Sequence, residues 1–171
     1  MIQKIPYALA VLGMIGGVFI AIIFGVNEDF IKNKISSGLE ENASIMSIED
    51  TAQKESKLKS EADKNWRYYQ RYHFHATAIG AMSLSALILV AFSGAPTTLV
   101  RASSYMISIG GLLYPFVWLF AGIFGPRMGR HEAKEAFAIF GYMGGVFLVG
   151  LILLLFLIVK YPLKTTNMQN S

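Results

Sequence analysis

The chain has 171 residues, 54% hydrophobic and only 15% charged, where a soluble domain usually carries about a quarter charged residues. The absence of cysteine excludes disulfides, thiolate metal sites, iron–sulfur clusters and CxxCH haem attachment. The net charge of +4 is small, and basic residues beside apolar segments meet lipid headgroups more often than nucleic acid, so no nucleic-acid partner is expected.

The charge deficit is explained by its distribution. No Asp, Glu, Lys or Arg occurs in 5–27, 72–100, 102–126 or 136–159. Each window exceeds the roughly 20 residues needed to cross about 30 Å of hydrocarbon. The expected fold is an all-α integral membrane protein. It has four transmembrane helices, at about 6–26, 74–92, 103–124 and 136–159, and a helical extramembranous arm at 27–72. One four-helix domain covers 1–171, and the lipid bilayer is its first partner.

The first span follows Lys4, with Pro6 tolerable in its opening turn. Gly13, Gly17, Ala21 and Gly25 recur every four residues, and such small-residue stripes let helices approach closely in lipid. Packing on the chain's own helices is the leading reading, and self-association or contact with other membrane subunits the second. The apolar stretch is longer than a signal-peptide core and no A-x-A pattern follows it, so an uncleaved anchor is expected.

From Asn27 to Tyr72 the chain turns polar. Ile31, Ile35 and Leu39, with Phe30 alongside, predict a short amphipathic helix lying on the membrane surface and ending near Gly38 and 42–44. Ser47 and Asp50 resemble a capping pair. The helix they open meets no Pro or Gly before Tyr72 and is free to run into the second span as a solvated, charged rod of roughly 45 residues. Trp66, Tyr68, Tyr69 and Tyr72 are read as rings at headgroup level. Thr77, Ala81 and Ser85 form a small-residue stripe in span two, which 93–96 ends. Pro115 should kink span three because it lacks an amide donor. Gly125 and Pro126 close that span. Gly141 and Gly145 precede an apolar, lipid-suited half of span four, Lys160, Tyr161 and Lys164 anchor its end, and the last few residues are expected to fray.

Four spans put 27–72 and 127–135 on one membrane face, with all eleven acidic residues and all three histidines. Three readings of that face stay open. His75 and His131, or His73 and His131, are candidate axial ligands of a b-type haem, which takes imidazoles from different helices. His73, His75, His131 and Glu135 are candidate ligands of a divalent metal or copper. The third reading is ordinary interfacial residues. On a continuous helix His73 and His75 diverge by about 200°, so both cannot face one site.

No ionisable Asp, Glu, Lys or Arg lies within a span, which argues against an ion-coupled carrier. Tyr114, Pro115 and Trp118 are read as packing beside the kink rather than a small-molecule site. No nucleophile–base pair, phosphate loop or dinucleotide fingerprint appears, so catalytic residues are expected to be none. The leading function is a non-catalytic accessory or assembly subunit of a membrane complex, a respiratory one among the candidates. The alternative is a small haem- or metal-binding electron-transfer protein. A prokaryotic inner membrane is the expected setting. Lys4 before span one, against Glu28 and Asp29 after it, favours a cytoplasmic N-terminus. The Lys and Arg count beside the spans instead favours a cytoplasmic histidine face, and carries slightly more weight.

Overall fold

The computed structural model describes residues 4–164. It is built of α1 (Lys4–Glu40), α2 (Ala43–Met46), α3 (Thr51–Phe92), α4 (Thr97–Leu113), α5 (Phe116–Met128), α6 (Arg130–Ala136) and α7 (Ala138–Lys160). Four segments are long and apolar enough to cross a membrane: Lys4–Glu40, Thr51–Phe92, Thr97–Met128 and Ala138–Lys160. The expected fraying beyond Lys164 lies outside the described residues.

α1 is kinked where its composition changes. Asn27 leaves helical geometry (φ −154°, ψ 70°), and its Oδ1 accepts the Phe30 amide at 3.1 Å. It thereby caps the 28–40 section, and Glu28 and Asp29 in that section's first turn favour the helix dipole. The 28–40 section does not lie alone on a membrane surface. Ile31, Ile35 and Leu39 are buried in a cluster with Ile45 and Tyr69, flanked by Leu58, Ala62 and Trp66 of α3. A stripe repeating every four residues needs an apolar cover, and α3 supplies it. Each such side chain contributes about 1.5–3 kcal/mol on burial.

α3 is a continuous helix of 42 residues, about 63 Å at 1.5 Å per residue. Its charged half is not a solvated rod, because Glu61, Asn65, Tyr68, Tyr69 and Tyr72 are buried. The three tyrosines therefore face protein rather than headgroups; among the four aromatics Trp66 alone is partly exposed, and it packs on Phe24 at 4.9 Å. The buried stripe continues as Ala76, Gly80 and Ser83. Of the Thr77–Ala81–Ser85 reading, Thr77 does pack, against Gly17, while Ala81 and Ser85 are exposed.

The N-cap of α3 is Asp50, not Ser47: its side chain accepts the Gln53 amide at 2.8 Å. Ser47 ends α2 and donates its hydroxyl to Ser44 O. Asp50→Ala should cost about 1 kcal/mol. Amide hydrogen exchange should show lost protection in the first turns of α3 alone, and unchanged exchange there would contradict the cap.

The stripe on α1 divides. Gly17 meets α3 so closely that a Cβ would lie 2.7 Å from Thr77 N and 3.1 Å from His73 O, and Gly13 approaches Ala76 and Gly80. Gly25 has nothing among the described residues within 4 Å of that position. Gly13 and Gly17 are thus occupied within the chain, and no continuous four-residue face is left for a partner helix. The same holds in α7, where Gly144 and Gly150 take the close contacts, to Tyr114 and Ile107, while Gly145 has none.

The third apolar segment breaks at Tyr114 and Pro115 into α4 and α5, as the missing proline amide requires. It does not close at Gly125. α5 runs through Pro126 to Met128 and stops at Gly129, whose φ of 101° with ψ 144° suits only glycine. At the far end, Gly94 N donates to Pro162 O at 2.9 Å and Lys164 N to Phe92 O at 2.7 Å, tying the tail to the α3–α4 turn. The main apolar core gathers Ala10, Leu87, Val90, Ile107, Phe147 and Leu154 from α1, α3, α4 and α7.

Candidate functional site

The polar chemistry collects where the arm meets the end of α5. Two glycines of α5 admit two side chains of α3. A Cβ on Gly122 would lie 3.0 Å from the Tyr69 ring, and one on Gly125 would lie 2.6 Å from Asn65 Oδ1. Asn65 is fully buried and donates Nδ2–H to Glu61 O at 2.8 Å, while among the described residues its Oδ1 has no conventional partner. One turn earlier on the same face, Glu61 receives Arg130 Nε at 2.7 Å and Lys64 Nζ at 3.1 Å. Lys57 stands 3.7 Å away. Asn42 Nδ2 donates to Pro126 O at 3.0 Å, and Arg127 Nε reaches Glu41 at 3.1 Å. These contacts place the arm and the 127–135 connection on one side of the molecule, as the count of apolar segments implies.

The Glu61 side chain is only 11% exposed. Burial pushes its carboxyl up, but hydrogen bonds and charges from Arg130 and Lys64 outweigh burial and hold its pKa below the ordinary carboxylate value. For Arg130, burial works against the charge and the Glu61 carboxylate more than restores it. The pair borders a cavity of about 220 Å³ also lined by Lys57, His131 and Asn42. Chemically this is a clamp. One carboxylate faces three cations and, through Arg130, fixes α6 to α3.

The histidines go three ways. His73 Nδ1 lies 2.8 Å from Gly17 O, which makes it the N–H donor of a tie between α3 and α1. His75 Nδ1 lies 2.8 Å from Arg71 O of its own helix, and its ring rests against Tyr114 at 5.5 Å and Trp118 at 5.9 Å. Arg71 covers the same Trp118 ring at 5.0 Å, so the residues beside the Pro115 kink are engaged in packing. His131 Nε2 pairs with Glu135 Oε1 at 3.1 Å, the two side chains 75% and 69% exposed. The His131–Glu135 part of the metal set is brought together; His73 and His75 are not added to it. Among the described residues no three His, Asp or Glu side chains converge as metal ligands. The haem pairs are likewise not assembled, because His73 faces α1, His75 faces the α4–α5 break and His131 stands on the outside of α6.

Glu61, Asn65 and Arg130 escaped the sequence reading. A signal for two of them exists: 61, 65, 69, 72 and 76 form one helical stripe leading from the arm into the apolar half of α3. No family model matches this chain, and no curated protein or solved structure matches it either.

Proposed function

We propose that the chain is an integral membrane protein acting as a non-catalytic accessory or assembly subunit of a membrane complex. The observation that carries this reading is the arm. Its inner face is filled by its own chain, through Ile31, Ile35, Leu39 and Tyr69. Its outer face exposes Lys34, Glu40, Glu55, Lys59 and Asp63. A pre-folded, charged helical pair on an apolar bundle offers a rigid surface to a partner at little ordering cost. The ion pairs that the buried Glu61 makes with Arg130 and Lys64 brace that surface. Arg67, Arg71, Arg127, Arg130 and Lys134 lie beside the apolar segments at the arm end, which supports a cytoplasmic arm.

Extracted from its native membrane in a mild detergent, the protein should migrate in an assembly larger than itself. Lysine crosslinks from Lys34 and Lys59 should reach one recurrent partner. A stable monomer with no such crosslink would overturn the reading. The haem alternative is decided by an absorption spectrum of the same preparation: a reduced α-band that disappears in His131→Ala would replace the accessory-subunit reading with an electron-transfer one.

A further inference from the structure

The end of the molecule away from the arm has cations and no acidic side chain. All eleven acidic residues fall within 28–63 or at 132 and 135, and the charged side chains of the other end are Lys4, Arg101, Lys160 and Lys164. Folding brings two of these four to one cavity. The tail segment after α7 pairs with the α3–α4 turn through Gly94 N to Pro162 O and Lys164 N to Phe92 O. That pairing sets Lys164 beside the first turns of α4. A cavity of about 210 Å³ opens there, lined by Arg101, Lys164, Thr97 and Tyr7, with Ala91 and Val100 as apolar lining. Tyr7 donates its hydroxyl to Leu87 O at 2.8 Å, fixing the wall between α1 and α3. Among the described residues neither Arg101 nor Lys164 is paired with a carboxylate. The residue before α4 is Pro96, which gives no side-chain cap, so the first amides of that helix add to the positive potential.

We propose that this cavity binds a phosphate ester anion, and that the anion is the headgroup phosphate of a membrane lipid. Two like charges at one concave site repel unless an anion joins them, and the guanidinium fork matches phosphate oxygens in a bidentate way. The lining is itself amphipathic. Arg101, Lys164 and Thr97 suit a phosphate, while the half-buried Ala91 and Val100 suit the glycerol and first methylenes that follow it in a lipid. Basic pockets between spans at a membrane surface are a recurrent lipid-headgroup site. The lipid source rests on the membrane reading above, because only then does this end of the bundle lie at headgroup level; the phosphate chemistry does not.

The test titrates the full chain, purified in a non-ionic detergent, with dioctanoyl phosphatidylglycerol and separately with glycerol 1-phosphate. Native mass spectrometry reads the retained ligand and a thermal midpoint reads its stabilising effect. Phosphatidylglycerol should bind and raise the midpoint, and the double variant R101Q/K164Q should bind it at least about tenfold more weakly. K4Q/K160Q removes the same charge from the same end outside the cavity and should bind as the parent does. Glycerol 1-phosphate should bind more weakly than the lipid, with the same dependence on Arg101 and Lys164. Undiminished lipid binding in R101Q/K164Q, or an equal loss in K4Q/K160Q, would overturn the site. Glycerol 1-phosphate binding as tightly as the lipid would overturn the lipid assignment in favour of a soluble phosphate ester. Should the double variant lose helicity, the single Lys164→Gln, beyond the last helix, must still weaken lipid binding severalfold, and no change there would overturn the site. Carbonate extraction of membranes decides the membrane reading separately: a chain released by carbonate ends that reading, while the glycerol 1-phosphate titration still decides the cavity.

Discussion

A Gly110→Ala chain is expected to lose its α4–α7 contact, while Gly145→Ala is expected to behave as the parent. A Cβ at Gly110 would lie 2.5 Å from Phe147 N, 2.8 Å from Met143 O and 2.9 Å from Phe147 Cα. All three are backbone atoms of α7, so no side chain can swing away and the helices themselves must part. Gly150 makes the reciprocal approach, since a Cβ there would lie 2.8 Å from Ile107 N. Parting also breaks the hydrogen bond from Ser103 Oγ to Gly150 O at 3.1 Å. Between apolar helices, close packing and bonds of this kind supply much of the association. Overpacking commonly costs 1–3 kcal/mol, and backbone against backbone places this case at about 3 kcal/mol, on the order of 10 °C in midpoint. At Gly145 nothing among the described residues lies within 4 Å of the added carbon, and the better helix propensity of alanine makes the change neutral or slightly stabilising. Thermal unfolding of the two variants in one detergent checks this. Equal midpoints would show that α4 and α7 are not packed through Gly110.

What the sequence made legible follows from which physical rules are local. The four apolar windows announce their helices because a charge-free run of that length is read directly off the residues, and Pro115 announces its break because the missing amide belongs to that residue alone. The opposite facing of His73 and His75 was also legible, since 200° of helix separates adjacent odd positions; their partners, Gly17 O and the Trp118 ring, were not. Ile31, Ile35 and Leu39 show a buried face without saying what buries it. A membrane surface and the α3 stripe through Leu58 and Ala62 ask for the same pattern. Glu61 was invisible for a different reason. It sits in a run of Lys, Glu and Asp where each acid looks alike, and only the return of Arg130 from the far side of α5 marks it out. Pro126 misled because a proline in a helix is costly on average. Here α5 continues through it, and its carbonyl is taken up by Asn42.

Replacing Glu61 or Arg130 should reveal a coupling that the other ion pairs of the arm lack. Glu61 is 11% exposed and Arg130 34%, whereas Glu28 and Lys32 are 46% and 52% exposed and Glu41 and Arg127 58% and 74%. Exposed pairs are worth about 0.2–1 kcal/mol. A charge-assisted hydrogen bond on a largely buried carboxylate contributes about 1.5–3 kcal/mol; partial exposure of Arg130 and the nearby Lys64 bring the expected Glu61–Arg130 coupling to about 1–2 kcal/mol. A double-mutant cycle of Glu61→Gln and Arg130→Gln at neutral pH measures it, with Glu28→Gln and Lys32→Gln as the exposed reference. The pH dependence has a fixed sign. Since the folded pKa of Glu61 is depressed, its contribution is complete above the ordinary carboxylate pKa and fades as pH falls through the folded value. Arg130 stays charged throughout. The parent and Glu61→Gln should therefore differ at neutral pH and converge in acid, because protonation of Glu61 makes the carboxyl as neutral as the amide. A coupling no larger than that of Glu28 and Lys32, or a gap between parent and variant that widens in acid, would mean that α6 is held to α3 by the surrounding packing and not by this pair.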